Sequence, residues 1–153
     1  MINFSHKGFT LTQILVVLII IFLMSIVTFP LIREYSKNLE LKNGTKAVIQ
    51  SLRLAQQSAV TEQFKYAIRF TALADTYYLV KKVDPEEIIN SWQLPNSVYF
   101  FYIDGLEDDE AVFNSAGAVD FSGDVYLAHL QNQAQTLIEI KPSGYITWQN
   151  YEP

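Results

Sequence analysis

The sequence predicts an α+β fold, in which one long N-terminal helix packs on an antiparallel β-sheet domain. Three observations predict this fold. Residues 9–32 are apolar almost without interruption, and no charged residue occurs between Lys7 and Arg33. A stripe of apolar residues at helical spacing follows over Leu41–Ala59. From Phe64 onward the hydrophobic period changes to two, which is typical of half-buried strands.

Residues 9–32 predict that the N-terminal half of the helix spans a membrane. At about 1.5 Å per residue they form a helix about 36 Å long, against roughly 30 Å for a bilayer core. A cleaved secretory signal is disfavoured because this run is too long and lacks a small-x-small site after it. A soluble core helix is disfavoured because no face is polar. With Lys7 inside, we expect a single pass in the cytoplasmic membrane, with the N-terminus cytoplasmic and residues 33–153 outside.

The helix is expected to continue to about Gln63. Apolar residues recur at mostly three- to four-residue spacing, and charged residues lie elsewhere around the helix. The stripe consists of Leu41, Val48, Leu52, Ala55 and Ala59. A stripe of this kind predicts the face that packs against a sheet.

The strands are predicted from alternation and from the turn residues between segments. A first strand over 64–71 is followed by a turn at residues 74–75. Further strands are expected at 77–83, 98–103, 111–114, 119–121, 125–130, 136–141 and 145–148. Proline and glycine break the chain between them, as at Asp84-Pro85 and Pro142-Ser143-Gly144. Residues 33–153 are therefore expected to form one extracytoplasmic globular domain.

The residues around Gly8 resemble the processing site of type IV prepilins and pseudopilins. The matching segment is Lys7-Gly8-Phe9-Thr10-Leu11. In that family a membrane peptidase cuts after the glycine and methylates the new N-terminal residue. The resemblance implies that residues 1–8 are a leader peptide, that cleavage falls between Gly8 and Phe9, and that Phe9 is N-methylated. Pro30 lies where many pilins carry a proline, and we expect it to kink the helix.

Gln13 departs from the family, in which most members carry Glu at this position. Cleavage would leave a free amine on Phe9, and a charge in hydrocarbon is costly unless it is paired. A Glu can pair with the amine of a neighbouring subunit, whereas Gln13 accepts a hydrogen bond without a compensating charge. Two interpretations stay open: a special position such as the filament tip, or a tolerated isostere in a minor subunit. Both make a major filament-forming pilin less favoured.

The exported part resembles the GspH/FimT class of minor pseudopilins. Residues 52–60 resemble the helix of that class, and residues 113–117 and 138–146 resemble its two late strand–turn signatures. The pattern Gln56-x-x-Ala59 is also similar to the competence minor pilin ComGD. The resemblance implies a non-enzymatic subunit of a type IV pilus-like filament at the cell surface or in the periplasm. Its implied partners are other pilins, a prepilin peptidase and an assembly-platform membrane protein.

Three functions remain open at this stage. A minor pilin for competence, that is for DNA uptake, is favoured over a minor pseudopilin of a type II secretion system. The alternative from another class is a signal-anchored extracytoplasmic binding protein that merely resembles a prepilin. Direct strong binding of nucleic acid is not expected, because the net charge is −5.

Composition and motifs disfavour catalysis. The chain has no cysteine, which excludes disulfides, thiol catalysis and zinc–thiolate sites. Removal of the leader would leave His129 as the only imidazole, in a strand-like context, and no Gly-x-Ser-x-Gly motif is present. We therefore expect no catalytic residue and no cofactor.

Two further segments carry side chains of interest. The acidic run is a weak calcium candidate because carboxylates are hard oxygen ligands, although it does not match EF-hand spacing, and a solvated loop is favoured. It comprises Asp104, Glu107, Asp108, Asp109 and Glu110. The four consecutive aromatics at residues 99–102 predict either a buried strand or a subunit interface. They lack the basic neighbours that stacking on nucleic-acid bases requires.

Overall fold

The computed structural model describes residues 10–131 and 134–151, and it describes side chains over these ranges except for 27–37. The chain divides into two compact units, Met1–Ser36 and Lys37–Pro153, which we call the N-terminal and C-terminal units. All described residues of the N-terminal unit except the first are helical. The described strands all belong to the C-terminal unit.

A single α-helix, α1 (Leu11–Glu62), runs through both units. It ends one residue before the predicted position, because Gln63 adopts a positive φ of 59°. The predicted apolar stripe is confirmed as the buried face of the helix. Its members are Leu41, Val48, Leu52, Ala55 and Ala59, with exposed fractions of 0–5%.

Eight strands form two four-stranded sheets, and every strand pair is antiparallel, as predicted. The first sheet has the order β3-β2-β1-β5 and the second has the order β4-β6-β7-β8. The strands are β1 (Tyr66–Thr71), β2 (Thr76–Lys81), β3 (Glu87–Gln93), β4 (Val98–Asp104), β5 (Glu110–Phe113), β6 (Gly123–His129), β7 (Gln135–Ile140) and β8 (Ile146–Tyr151). Short 3-10 turns occupy Ala72–Ala74 and Glu107–Asp109.

One hydrophobic core joins the buried face of α1 to both sheets. Leu52 of the helix is fully buried together with Ile68 of the first sheet and Leu127 and Ile138 of the second. Burial of apolar surface contributes about 25 cal/mol per Å², so this shared core is the main stabilising element of the C-terminal unit. The expected α+β arrangement of helix and antiparallel sheets is therefore confirmed.

Two strand predictions were wrong. β3 was not predicted, because it is an edge strand with both faces largely exposed and so lacks an apolar alternation. The strand expected at 119–121 is only an isolated bridge between Phe113 and Val119. The remaining strands were predicted to within two residues of their observed boundaries, except that β8 ends three residues later than expected.

Candidate functional site

The N-terminus of α1 is closed by a reciprocal pair of hydrogen bonds. The backbone N–H of Thr10 donates to Gln13 Oε1 at 3.0 Å, and the backbone N–H of Gln13 donates to Thr10 Oγ1 at 3.3 Å. This is a capping box, which satisfies two donors that a helix N-terminus leaves without partners. The Thr-x-x-Gln spacing that signals a capping box is present in the sequence at Thr10–Gln13. Gln13 therefore has a local structural role in addition to any role in assembly.

Removing the side-chain amide of Gln13 should loosen the first turn. We expect Gln13→Ala to speed amide hydrogen exchange at residues 10–14 about fivefold, because a lost cap costs about 1 kcal/mol. Gln13→Glu should leave exchange near the wild-type rate, because Glu closes the same capping box. Hydrogen-exchange mass spectrometry of the full chain in detergent measures both. Equal exchange in the Ala variant and the wild type would show that the box does not stabilise the turn.

The N-terminal unit leaves its apolar side chains uncovered. Every large apolar side chain from Leu11 to Ile26 is 49–81% exposed. Within the described residues, none of the helices combines the length and hydropathy that a membrane crossing requires. Gly8 and Phe9, the predicted processing and methylation positions, lie outside the described residues. Position 30 is part of α1, and the side chain of Pro30 likewise lies outside the described set.

In the C-terminal unit, Gln56 ties the helix to two turns. Its Nε2 donates to the carbonyl oxygens of Gly117, at 2.6 Å, and of Gly144, at 3.0 Å. These glycines end the first late strand–turn signature and lie in the turn of the second, so segments far apart in sequence meet at one amide. Gln56 and the two glycines are all in segments that the sequence singled out, but no local pattern indicates that they are in contact.

Both glycines are required by backbone geometry. Gly117 and Gly144 have φ values of 79° and 78°, in the left-handed region that glycine adopts without strain. A side chain at position 144 would overlap the backbone oxygen of Gly117 and the amide nitrogen of Gln56. The contact therefore depends on the absence of a Cβ at position 144.

Four charged side chains form a cluster on the first sheet. Glu110 is 6% exposed in its side chain, accepts a hydrogen bond from Arg69 Nε, and lies 2.5 Å from Lys82 Nζ. Glu86 bridges the same two cations at 2.7 and 2.6 Å. Its hydrogen bonds to Lys82 and then to Arg69 lower the pKa of Glu86 to about 2. The two carboxylates and the two cations neutralise one another, so the cluster is a structural network of ion pairs.

The acidic run is not gathered into one site. Glu110 points toward Arg69 and Lys82, whereas Glu107, Asp108 and Asp109 are exposed in a 3-10 turn. Over the described ranges, no three His, Asp or Glu side chains are placed so that they could hold a metal ion. The inward turn of Glu110 was not predictable, because its cations come from β1 and from the segment after β2.

His129 lies in β6, as its context predicts, and it is buried. Its Nδ1 accepts a hydrogen bond from the Gln131 N–H, and its Nε2 lies 3.6 Å from a carboxylate oxygen of Glu40 on α1. The hydroxyl of Ser97 donates to that same carboxylate, which lowers the pKa of Glu40. In a catalytic triad the nucleophilic hydroxyl donates its hydrogen bond to the imidazole. Here Ser97 donates to Glu40 instead, so His129 does not activate Ser97 as a nucleophile.

The four aromatics belong to β4, an edge strand of the second sheet. Phe100 is buried in the core, and its N–H donates to Asp75 Oδ1 at 3.1 Å. An irregularity between Phe100 and Tyr102 leaves Phe101 and Tyr102 more than half exposed. The prediction of a fully buried strand is therefore wrong, because β4 presents an exposed aromatic surface.

Comparison with solved structures shows the class of protein that has this fold. The chain is similar to the minor pseudopilin EpsH from the type 2 secretion system of Vibrio cholerae, with 12% identity and a TM-score of 0.63 over 72% of this chain and 97% of EpsH. It is similar to the type IV minor pilin FimU of Pseudomonas aeruginosa, with 9% identity and a TM-score of 0.60 over 75% of this chain and 92% of FimU. No protein-family model and no curated protein matches the chain.

The chain therefore has the fold of a type IV pilin-like protein. Within that class, its structural neighbours include a minor pseudopilin and a minor pilin, which confirms the resemblance drawn from the sequence. At 9–12% identity the similarity concerns the fold alone.

Proposed function

We propose that this protein is a minor pilin or pseudopilin, a non-enzymatic subunit of a type IV pilus-like filament. The observation that carries the proposal is a pilin fold whose N-terminal helix leaves its apolar residues uncovered. The order of contacts around Ser97 and His129 agrees with a structural role. Solved structures with this fold include a minor pseudopilin and a minor pilin.

The uncovered apolar helix supplies the driving force for assembly. Side chains over residues 11–26 have no polar face to present to water, so lipid or other apolar helices must cover them. We propose that residues 9–32 anchor the subunit in the cytoplasmic membrane and then pack among the helices of other pilins. In this proposal the N-terminus is cytoplasmic, and the C-terminal unit lies outside and is displayed on the filament.

Processing is part of the same proposal. A prepilin peptidase would remove residues 1–8, cutting between Gly8 and Phe9, and would methylate the amine of Phe9. An assembly-platform membrane protein would then pass the subunit into the filament. The capping box ties Gln13 to Thr10, and a Glu at position 13 would be able to close the same box. This favours the isostere interpretation for the helix, while the missing charge still fits a special position in the filament.

Two machines are compatible with this subunit. Competence for DNA uptake is suggested by the ComGD-like Gln56-x-x-Ala59 pattern, and the contact of Gln56 with both turns gives that pattern a structural purpose. Type II secretion is the second candidate, because EpsH is a pseudopilin of such a system. Deleting the gene in its host and measuring transformation and exoprotein secretion separates the two.

The N-terminus of the membrane-extracted protein tests the proposal directly. We expect intact mass and terminal sequencing to show a start at Phe9, with an added methyl group, only in cells that contain a prepilin peptidase. Gly8→Glu should abolish this processing, whereas Ser5→Ala, inside the leader and away from the cut, should leave it unchanged. An intact Met1 in cells with and without the peptidase would contradict the proposal of a filament subunit. The signal-anchored binding protein would then be the better explanation.

A further inference from the structure

One face of the second sheet packs on the hydrophobic core, and the other, which we call the outer face, points away from it. In β6 the fully buried Val125 and Leu127 alternate with Asp124 and Tyr126, which therefore lie on the opposite side. Strand registers place Asp104, Asp124 and Glu139 directly opposite one another across β4, β6 and β7. We call these three residues the acidic row.

The acidic row places three carboxylates side by side, and among them only Glu139 has a cation partner within the described residues. Like charges directly opposite on neighbouring strands are destabilising. Burial, followed by the charges of Glu139 and Asp104, raises the pKa of Asp124. Lys141 Nζ is 3.9 Å from Glu139, and the Gln149 side-chain amide donates to Glu139 at 3.4 Å. Asp104 and Asp124 have no ion pair within the part of the chain that the structure describes.

Beside the acidic row lies a ladder of tyrosine rings on the same face. Tyr102 pairs with Tyr126, and their ring centroids are 6.0 Å apart. The ring of Tyr126 meets that of Tyr151 edge-on at 5.4 Å. Tyr102 is 56% exposed and Tyr151 is 40% exposed, so the ladder presents aromatic surface to solvent. The ladder lies two residues from the acidic row along β4 and β6, about 7 Å away.

We propose that this face binds an arginine-bearing extended segment of a partner protein. A guanidinium group is the ligand that satisfies both features, because it pairs with carboxylates in a planar fork and stacks on aromatic rings. A second copy of this chain is disfavoured by its net charge of −5, and nucleic acid is disfavoured by the acidic row. The inference does not depend on the filament function, since all six residues belong to the C-terminal unit.

A peptide titration of the full chain in mild detergent tests the proposal. The probe is an N-acetylated, C-amidated peptide of alternating threonine and arginine, and the comparison probe carries glutamate in place of arginine. We expect the arginine probe to shift the ring NMR signals of Tyr102, Tyr126 and Tyr151. We also expect Asp124→Asn to weaken binding at least about threefold, the effect of one lost exposed ion pair. This variant relieves repulsion, so it is expected to fold.

Asp108→Asn is the matched control, since it removes the same charge from an exposed turn off this face, and Asn tolerates the positive φ of 53° there. Binding within about twofold of wild type in this control, together with the loss in Asp124→Asn and in Tyr102→Leu, supports the proposal. Equal weakening by both charge variants, or an absence of ring shifts at millimolar probe, would overturn it. So would saturable binding of Ca²⁺ alone to the acidic row that the arginine probe cannot displace, since the row would then be a metal site.

Discussion

Replacing Gly144 with alanine is expected to destabilise the C-terminal unit by about 3 kcal/mol. The positive φ of 78° costs an L-residue roughly 1–2 kcal/mol. The new Cβ would also overlap the carbonyl oxygen of Gly117, which is backbone and cannot rotate away. Moving it would break the hydrogen bonds from Gln56 to both turns, each contributing about 1 kcal/mol. In a chain of this size, the loss should lower the unfolding temperature by roughly 10 °C.

Thermal unfolding of the full chain, followed by circular dichroism, measures this effect. Gly44→Ala is the matched control, because Gly44 is inside α1 and a Cβ there would make ordinary contacts, the nearest at 3.5 Å to Val98. We expect the control to be neutral or stabilised by up to about 1 kcal/mol, from helix propensity. Gln56→Leu should reproduce part of the loss without backbone strain. If Gly144→Ala and Gly44→Ala unfold at the same temperature, the helix–turn contact is not a stabilising element.

Glu110→Gln is expected to cost about 2 kcal/mol. The substitution keeps the shape of a side chain that is only 6% exposed, and it removes the negative charge between Arg69 and Lys82. Breaking a fully buried ion pair costs about 3–5 kcal/mol, because the partner charge stays buried. The effect here is smaller, because the side chains of Arg69 and Lys82 are 34% and 24% exposed and water screens them.

Urea unfolding of the full chain measures the loss from Glu110→Gln. Glu107→Gln changes the same residue type in the same segment at an exposed position, and it should stay within about 0.5 kcal/mol of wild type. A Glu110 variant as stable as the Glu107 variant would mean that the cluster contributes no net stability.

The same cluster predicts sensitivity to acid. The pKa of Glu86 is lowered from 4.5 to about 2 in the folded protein, so the folded state binds this proton more weakly than the unfolded state. The resulting stability is present above about pH 4.5 and is lost as the pH falls toward 2. The lowered pKa of Glu62, held mainly by Lys81, acts in the same direction. The raised pKa of Asp124 acts in the opposite direction, since it favours folding on protonation.

Unfolding temperatures measured from pH 6 to pH 2 should therefore fall below pH 4.5, and Glu86→Gln should make the curve flatter. A Glu86→Gln curve as steep as that of the wild type would assign the acid loss to other carboxylates.

The sequence by itself determined the elements whose signal is local. The stripe from Leu41 to Ala59 marked the buried face of the helix, because helical neighbours on one face recur every three or four residues. The alternation after Phe64 marked β1 for the corresponding reason in strands. The motif around Gly8 indicated the class of protein, and the structural comparison agrees with it. The Thr10–Gln13 capping box was equally readable, because it too is encoded within one turn.

The tertiary structure alone decided what depends on distant segments. β3 exists because its backbone pairs with β2, although its side chains carry no apolar pattern. Glu110 is paired with cations about forty and thirty residues away in sequence and not with its neighbours in the acidic run. Gln56 donates hydrogen bonds to two turns that are even farther away along the chain. The acidic row likewise required the registers of three strands. Periodicity reports which side of an element is apolar, whereas pairing, register and ion pairs are set by contacts that no local pattern encodes.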